Sequence, residues 1–278
     1  MAEFETSESE ESGSFLPQDV REYAKKEYWD RRYEEEDSFE WFKGYDSFRD
    51  LVLRNVKKTD KILMLGCGNS PLSADMYRDG FHHITNIDYS PACIRRMAHK
   101  HADMTWLEMD ARQLTFPDGT FEVVLEKGTL DAFMVAEKSP WTVSEETAHF
   151  CHQVLQEVSR VLCPGGRFIS ISFAQPHFRT PLYANDEYGW SVRTDKFGDC
   201  FHFFFYTMER GGALTQQQRE QAHSFFHPPA VDVTPVCLSD PEDFLRRIDV
   251  SPSSSPVPKH LSDPEELPTM TGVPLSTS

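Results

Sequence analysis

Nowhere in the sequence does an apolar run approach the roughly 18 residues that a membrane-spanning helix needs, so no helical span is read. Positive charge is scarce: 28 Lys and Arg stand against 45 Asp and Glu, a net charge of -17. A nucleic-acid partner gripped through its phosphates requires a basic face, and this balance argues against one while easing approach of a basic partner. No CxxC pair occurs among Cys67, Cys93, Cys151, Cys163, Cys200 and Cys237. Their scatter reads as reduced, packed thiols rather than a disulfide framework or a zinc site. The histidines point to no metal site either, since His99 and His101 flank Lys100 near a helix end with no further ligands in view. The first residues lack the basic and apolar segments of a signal peptide, so an intracellular, cytoplasmic protein is expected.

What is present divides the chain into five stretches. Residues 1–20 begin with Glu3, Glu5, Glu8, Glu10 and Glu11 and no Lys or Arg before Gly13, the composition of a solvated, disordered leader. Residues 21–50 are rich in aromatics, and Tyr28, Trp29 and Tyr33 recur at helical spacing. They either staple a helix to the core or cover a ligand. Residues 51–210 alternate between strand and helix patterns, residues 211–250 are weakly patterned with a possible helix at Glu242 to Ile248, and residues 251–278 are a Pro- and Ser-rich tail expected to be disordered.

Within 51–210, KILML (61–65) is a continuous apolar run of the kind expected for a central parallel strand covered on both faces. Ser70 and Pro71 resemble an N-cap and first helical position, with Gly80 as the stop. HITNID ends a second strand at Asp88, and Ser90 and Pro91 open another helix. MTWLEMD (104–110) and TFEVVLEKG (120–128) predict the third and fourth strands. Thr142 and Glu145 predict a capping box for a helix carrying Cys151, Leu155 and Val158 and ended by Pro164 and Gly165. RFISISF is the fifth strand. YGWSVR and CFHFFFYTM, joined by a short turn, must lie antiparallel to each other. Such alternation predicts an α/β fold with a doubly wound, mostly parallel sheet, helices on both faces and a reversed strand at one edge.

Gly66 and Gly68 follow the first strand, where a bare backbone allows a sharp turn and close approach of a ligand, although a purely structural turn has the same signature. Asp88 ends the second strand about 20 residues later, placed to accept hydrogen bonds from the two hydroxyls of an adenosine ribose. Asp110 ends the third, where it can meet an adenine edge with Tyr89 and Ala111 in apolar contact. A dinucleotide fold needs a third glycine to seat a pyrophosphate, and Pro71 stands there instead. An adenosine cofactor without phosphates, S-adenosylmethionine, fits better than NAD.

The segments LMLGCGNS, NIDYS, MDARQLTFPDGTFEVVLEKGTLDA and VSRVLCPGGRFISIS, with PWTVS, PHFRT and YGWS, resemble the seven-stranded, Rossmann-like class I S-adenosylmethionine-dependent protein-lysine methyltransferases. The resemblance runs from Tyr23 to Met208. It implies Gly66 in the cofactor turn, Asp88 and Tyr89 at the ribose, Asp110 and Ala111 at the adenine and Lys127 beside the methionine moiety. It also implies Trp29, Tyr33 and Trp41 as a cover, EKGTLD (126–131) as a stretch needed for activity, and elongation factor 1A as protein substrate. Glu126 and Asp131 are the acids expected to position the target lysine or take its proton, although Asp131 equally suits a helix cap. Trp141, Phe178, Tyr188 and Trp190 are candidates for lining the lysine channel, although YGWSVR equally reads as core strand. Methylation of a small molecule, or a silent cofactor-binding module, are the alternatives.

Overall fold

The computed structural model describes residues 16–17, 19–137 and 142–227. Most of the acidic leader, Trp141, the helix expected at Glu242 to Ile248 and the tail at 251–278 lie outside them. A short 3-10 turn (Val20–Ala24) leads into α1 (Lys26–Glu35), whose Tyr28, Trp29 and Tyr33 are buried on one side. After α2 (Arg49–Asn55) the chain alternates: β1 (Ile62–Leu65), α3 (Leu72–Arg78), β2 (Ile84–Asp88), α4 (Pro91–Lys100), β3 (Thr105–Glu108), β4 (Phe121–Lys127), α5 (Thr129–Met134), α6 (Glu145–Val161) and β5 (Leu162–Ser172). It closes with α7 (Pro176–Tyr183), β6 (Trp190–Phe197), β7 (Phe203–Arg210) and α8 (Gln216–Phe226).

The seven strands form one sheet in the order β3-β2-β1-β4-β5-β7-β6. The first five are parallel, and β7 runs antiparallel to both β5 and β6. The expected reversal therefore lies at that end of the sheet, with the reversed strand wedged between its two neighbours. Because side chains alternate along a strand, β1 sends Ile62 and Met64 to one core layer and Leu63 and Leu65 to the other, and all four are buried. The first layer is covered by the N-terminal aromatics, α2, α3 and α4, and the second by α6, Tyr183 at the end of α7 and Ala222 of α8. Covering each face of a parallel sheet removes its apolar side chains from water, and it also sends β1 and β4 out on opposite sides of a topological switch point. The crevice at the carboxyl ends of those two strands is where this sheet can hold a ligand.

Three local expectations are corrected. The cap of α6 is Ser144, not Thr142: its Oγ accepts from the Thr147 N–H at 3.3 Å. That helix ends at Val161 rather than at Pro164 and Gly165, which sit in an exposed irregularity where the β4–β5 pairing shifts register. Residues 211–250 contain α8, held at its start by a capping box between Thr215 and Gln218 that a stripe of apolar residues alone did not reveal. Among the described residues, no helix is long and apolar enough to cross a membrane.

Candidate active site

Gly66 and Gly68 follow β1 with φ of +62° and +52°, a left-handed conformation that costs a residue bearing Cβ about 1 kcal/mol or more. Space is also closed. A Cβ on Gly66 would run into the side chain of Thr129, and one on Gly68 would lie 2.9 Å from the Tyr33 hydroxyl. Thr129 explains the first restriction: its Oγ1 donates to the Leu65 carbonyl at 3.1 Å, tying the start of α5 to the end of β1.

Asp88 ends β2 buried at 4% exposure. Its Oδ2 accepts from the Gly68 N–H and its Oδ1 from the Ser90 N–H, each at 3.0 Å. The carboxylate thus anchors the glycine turn and retains acceptor capacity for a ligand. Burial raises its pKa to about 6, against the lowering effect of those two backbone donors.

A cavity of about 720 Å³ opens over these strand ends. Trp29, Tyr33, Trp41, Gly66, Gly68, Asp88, Tyr89, Asp110, Ala111, Lys127 and Asp131, all expected from the sequence, line it together with Phe178. Its aromatic wall is an interlocked set: Trp29 stacks on Tyr33 at 5.6 Å between ring centroids and meets Trp41 edge-on at 6.1 Å. Trp29, Tyr33 and Trp41 therefore pack against the core and also face the cavity. Asp110 is less free than its position suggests, because Arg112 pairs with its carboxylate, through Nη2 at 2.6 Å, and holds its pKa below the ordinary value.

Lys127 joins the aromatic wall to the sheet. Its Nζ donates to the Glu40 carboxylate and, at 2.8 Å, to the Trp41 carbonyl. Burial pulls its pKa down while Glu40 acts the other way. Next to it, Gly128 takes φ +76°, and a Cβ there would press at 3.3 Å on the Phe42 ring. Phe42 itself is the one non-glycine among the described residues with positive φ, +63°, and backbone strain of this kind persists where surrounding contacts hold it. Glu40 and Phe42 were not singled out from the sequence, and Thr129 came to notice only within EKGTLD.

The two acids of EKGTLD part company. Asp131 lines the cavity: its Oδ1 accepts from Ser172 Oγ and Arg179 Nη2, both at 2.7 Å, while its buried Oδ2 has no hydrogen-bond partner among the described residues. Glu126 does not line it. Fully buried, it accepts from the Thr129 N–H at 2.9 Å and from Ser170 Oγ, bracing the β4–α5 turn from behind. Burial, with Asp131 adding repulsion, raises its pKa to about 7. Direct contact of Glu126 with a substrate is therefore corrected to support of the turn that carries Asp131. Of the two readings of YGWSVR, the structure has the core one: Tyr188 and Trp190 belong to the core layer under α6, where the Trp190 indole donates to the Tyr183 carbonyl at 2.8 Å, and they do not line the cavity. Arg179, which the sequence offered only within PHFRT, is the partner that fixes Asp131.

A family profile described as methyltransferase domain matches residues 63–170. A Bos taurus protein named EEF1A lysine methyltransferase 4 is 46% identical over 242 residues, covering 84% of this chain and 94% of that protein. Its Mus musculus namesake is 45% identical over 241 residues with the same two coverages. A Danio rerio protein named eEF1A lysine and N-terminal methyltransferase is 34% identical over 222 residues, which span 78% of this chain and 28% of that larger protein.

Proposed function

The chain belongs to the EEF1A lysine methyltransferase family, and on that premise we propose how its residues perform the reaction and which protein they act on. It is an S-adenosylmethionine-dependent protein-lysine methyltransferase. The target proposed is a lysine of elongation factor 1A, the protein in its relatives' names.

The observation that carries the residue assignment is a single cavity in which a buried carboxylate, a glycine turn and an aromatic wall converge at the ends of β1, β2 and β4. These residues fit the cofactor. Asp88 would accept from the ribose hydroxyls, Tyr89, Asp110 and Ala111 would hold the adenine, and the Gly66–Gly68 backbone with Lys127 would meet the methionine end. Bound there, S-adenosylmethionine supplies an electrophilic methyl group on a sulfonium. Trp29, Tyr33 and Trp41 exclude water and offer aromatic faces that suit a cation.

A target lysine must arrive as a neutral amine, and its ordinary pKa near 10.4 opposes that. The apolar walls around Ala132, Phe133 and Phe178 disfavour the ammonium by desolvation. Asp131 Oδ2 then accepts a hydrogen bond from the amine and aims its lone pair, while Arg179 and Ser172 hold the carboxylate still. Incubation of the purified chain with S-adenosylmethionine and elongation factor 1A, followed by peptide mass spectrometry, should find methyl groups on a lysine of the factor. Transfer confined to small molecules, or none despite cofactor uptake, would refute this target.

A further inference from the structure

Cys67, Asp88 and Cys93 converge from three element ends. Cys67 lies between the two glycines after β1, Asp88 is the last residue of β2, and Cys93 sits in the first turn of α4. The two Sγ atoms and a carboxylate oxygen lie within 4.8 Å of one another, and no other such group of potential ligands occurs among the described residues. All three are buried, Cys93 fully. Cys67 and Asp88 line the cavity, which gives an ion a way in, whereas Cys93 stands behind them. The Gly68 and Ser90 N–H groups hold the carboxylate in place beside the thiols.

We propose that Cys67, Asp88 and Cys93 form a site for a soft divalent cation of the zinc and cadmium class, and that this ion and S-adenosylmethionine exclude each other. Two thiolates and a carboxylate are the donor set that such ions prefer over hard cations, and three protein ligands leave a fourth position open towards the cavity. Binding forms two metal–sulfur bonds and one metal–oxygen bond in place of bonds from the ion to its hydration waters, which return to solvent. It breaks two S–H bonds, whose protons pass to solvent, and no electron is transferred. Exclusion follows from Asp88, and this half of the proposal rests on the reading that its carboxylate serves the cofactor ribose. An ion that takes the carboxylate removes the ribose acceptor and also pulls on the Gly66–Gly68 turn. By linkage, each ligand must weaken the other by the same factor.

The test uses the full chain in a phosphine reductant, so that a disulfide cannot form. Cadmium is titrated while the ultraviolet thiolate-to-metal charge-transfer band is followed, and S-adenosylmethionine affinity is measured by calorimetry with and without saturating cadmium. The wild type should develop the band and lose about tenfold or more in cofactor affinity. Cys93→Ala should lose both effects while binding cofactor as the wild type does. Cys93→Ser, closer in shape and polarity, serves if the alanine variant does not fold. An undiminished band in the Cys93 variants, or unchanged cofactor affinity at saturating cadmium, would overturn the proposal. A chain that shows the band but takes up no cofactor even without metal would instead refute the cofactor reading and leave the metal site standing.

Discussion

Asp131 divides its oxygens between two tasks, Oδ1 receiving Ser172 and Arg179 and Oδ2 left without a partner in a buried place. An orphaned buried acceptor costs about 1–3 kcal/mol, a cost an entering amine would relieve. Asp131→Asn should therefore lower kcat about a hundredfold while leaving the cofactor Kd within about threefold, the signature of a group that acts on the second substrate. Unchanged kcat would remove Asp131 from the reaction. The sequence brought both acids of EKGTLD to notice, and the alternation of β4 held the means to separate them. Leu125 belongs to the core layer that carries the aromatic wall, and Lys127 two residues on reaches Glu40 and Trp41 in that wall. Glu126, between them, must turn to the other face and reaches Ser170. Arg179 was beyond such reasoning, because its pairing with Asp131 spans 48 residues and two elements.

The turns where strands hand over to helices are the elements that make the site. Ala at position 66 would meet Thr129 at a φ of +62°. Gly66→Ala should thus cost about 1–3 kcal/mol of stability, read as a lowered Tm, and abolish measurable cofactor binding. Wild-type stability and cofactor affinity in that variant would count against the tight β1–α5 junction. The β4–α5 turn should also respond to pH. Glu126 binds its proton more tightly folded, with a pKa of about 7, than unfolded at 4.5. Its contribution to stability is therefore complete below the unfolded value and is lost as pH rises through about 7. Between about pH 5 and 8 the wild-type Tm should fall, and Glu126→Gln should flatten that slope; identical slopes would refute it. The position of β1 was readable because KILML carries the continuous apolar run of a buried parallel strand, and β5 because Phe168, Ile169 and Ile171 put apolar side chains on both faces of RFISISF. The start of α6 was misplaced by two residues because Thr142 and Ser144 are both competent caps and only the fold chooses between them. The meeting of Cys67 with Cys93 was invisible to spacing rules, since it is made by the parallel pairing of β1 and β2.

At the scale of the whole molecule, the two core layers fix the cavity rim, and the net charge of -17 sets its long-range field. A basic protein substrate should be drawn in by that field, and salt should weaken the attraction, the screening length being about 10 Å at 0.1 M. Raising ionic strength from about 0.05 to 0.3 M should lower kcat/KM for elongation factor 1A several-fold through KM, with cofactor affinity nearly constant. A salt-independent KM would contradict steering by net charge. The short motifs of the resemblance belong to the same family as the similarity along 84% of the chain, and LMLGCGNS, NIDYS and KGTLDA among them contribute residues to the cavity wall. Asp88 is the anchor of that cavity, since its carboxylate holds the glycine turn and the start of α4. The most direct test of that role is calorimetric titration of S-adenosylmethionine into the wild type and Asp88→Ala at one pH above 7. Saturable uptake by the wild type and a loss of about 3 kcal/mol, roughly a hundredfold in Kd, in the variant is the expected result. No uptake by the folded wild type, or equal affinity in the two proteins, would contradict it.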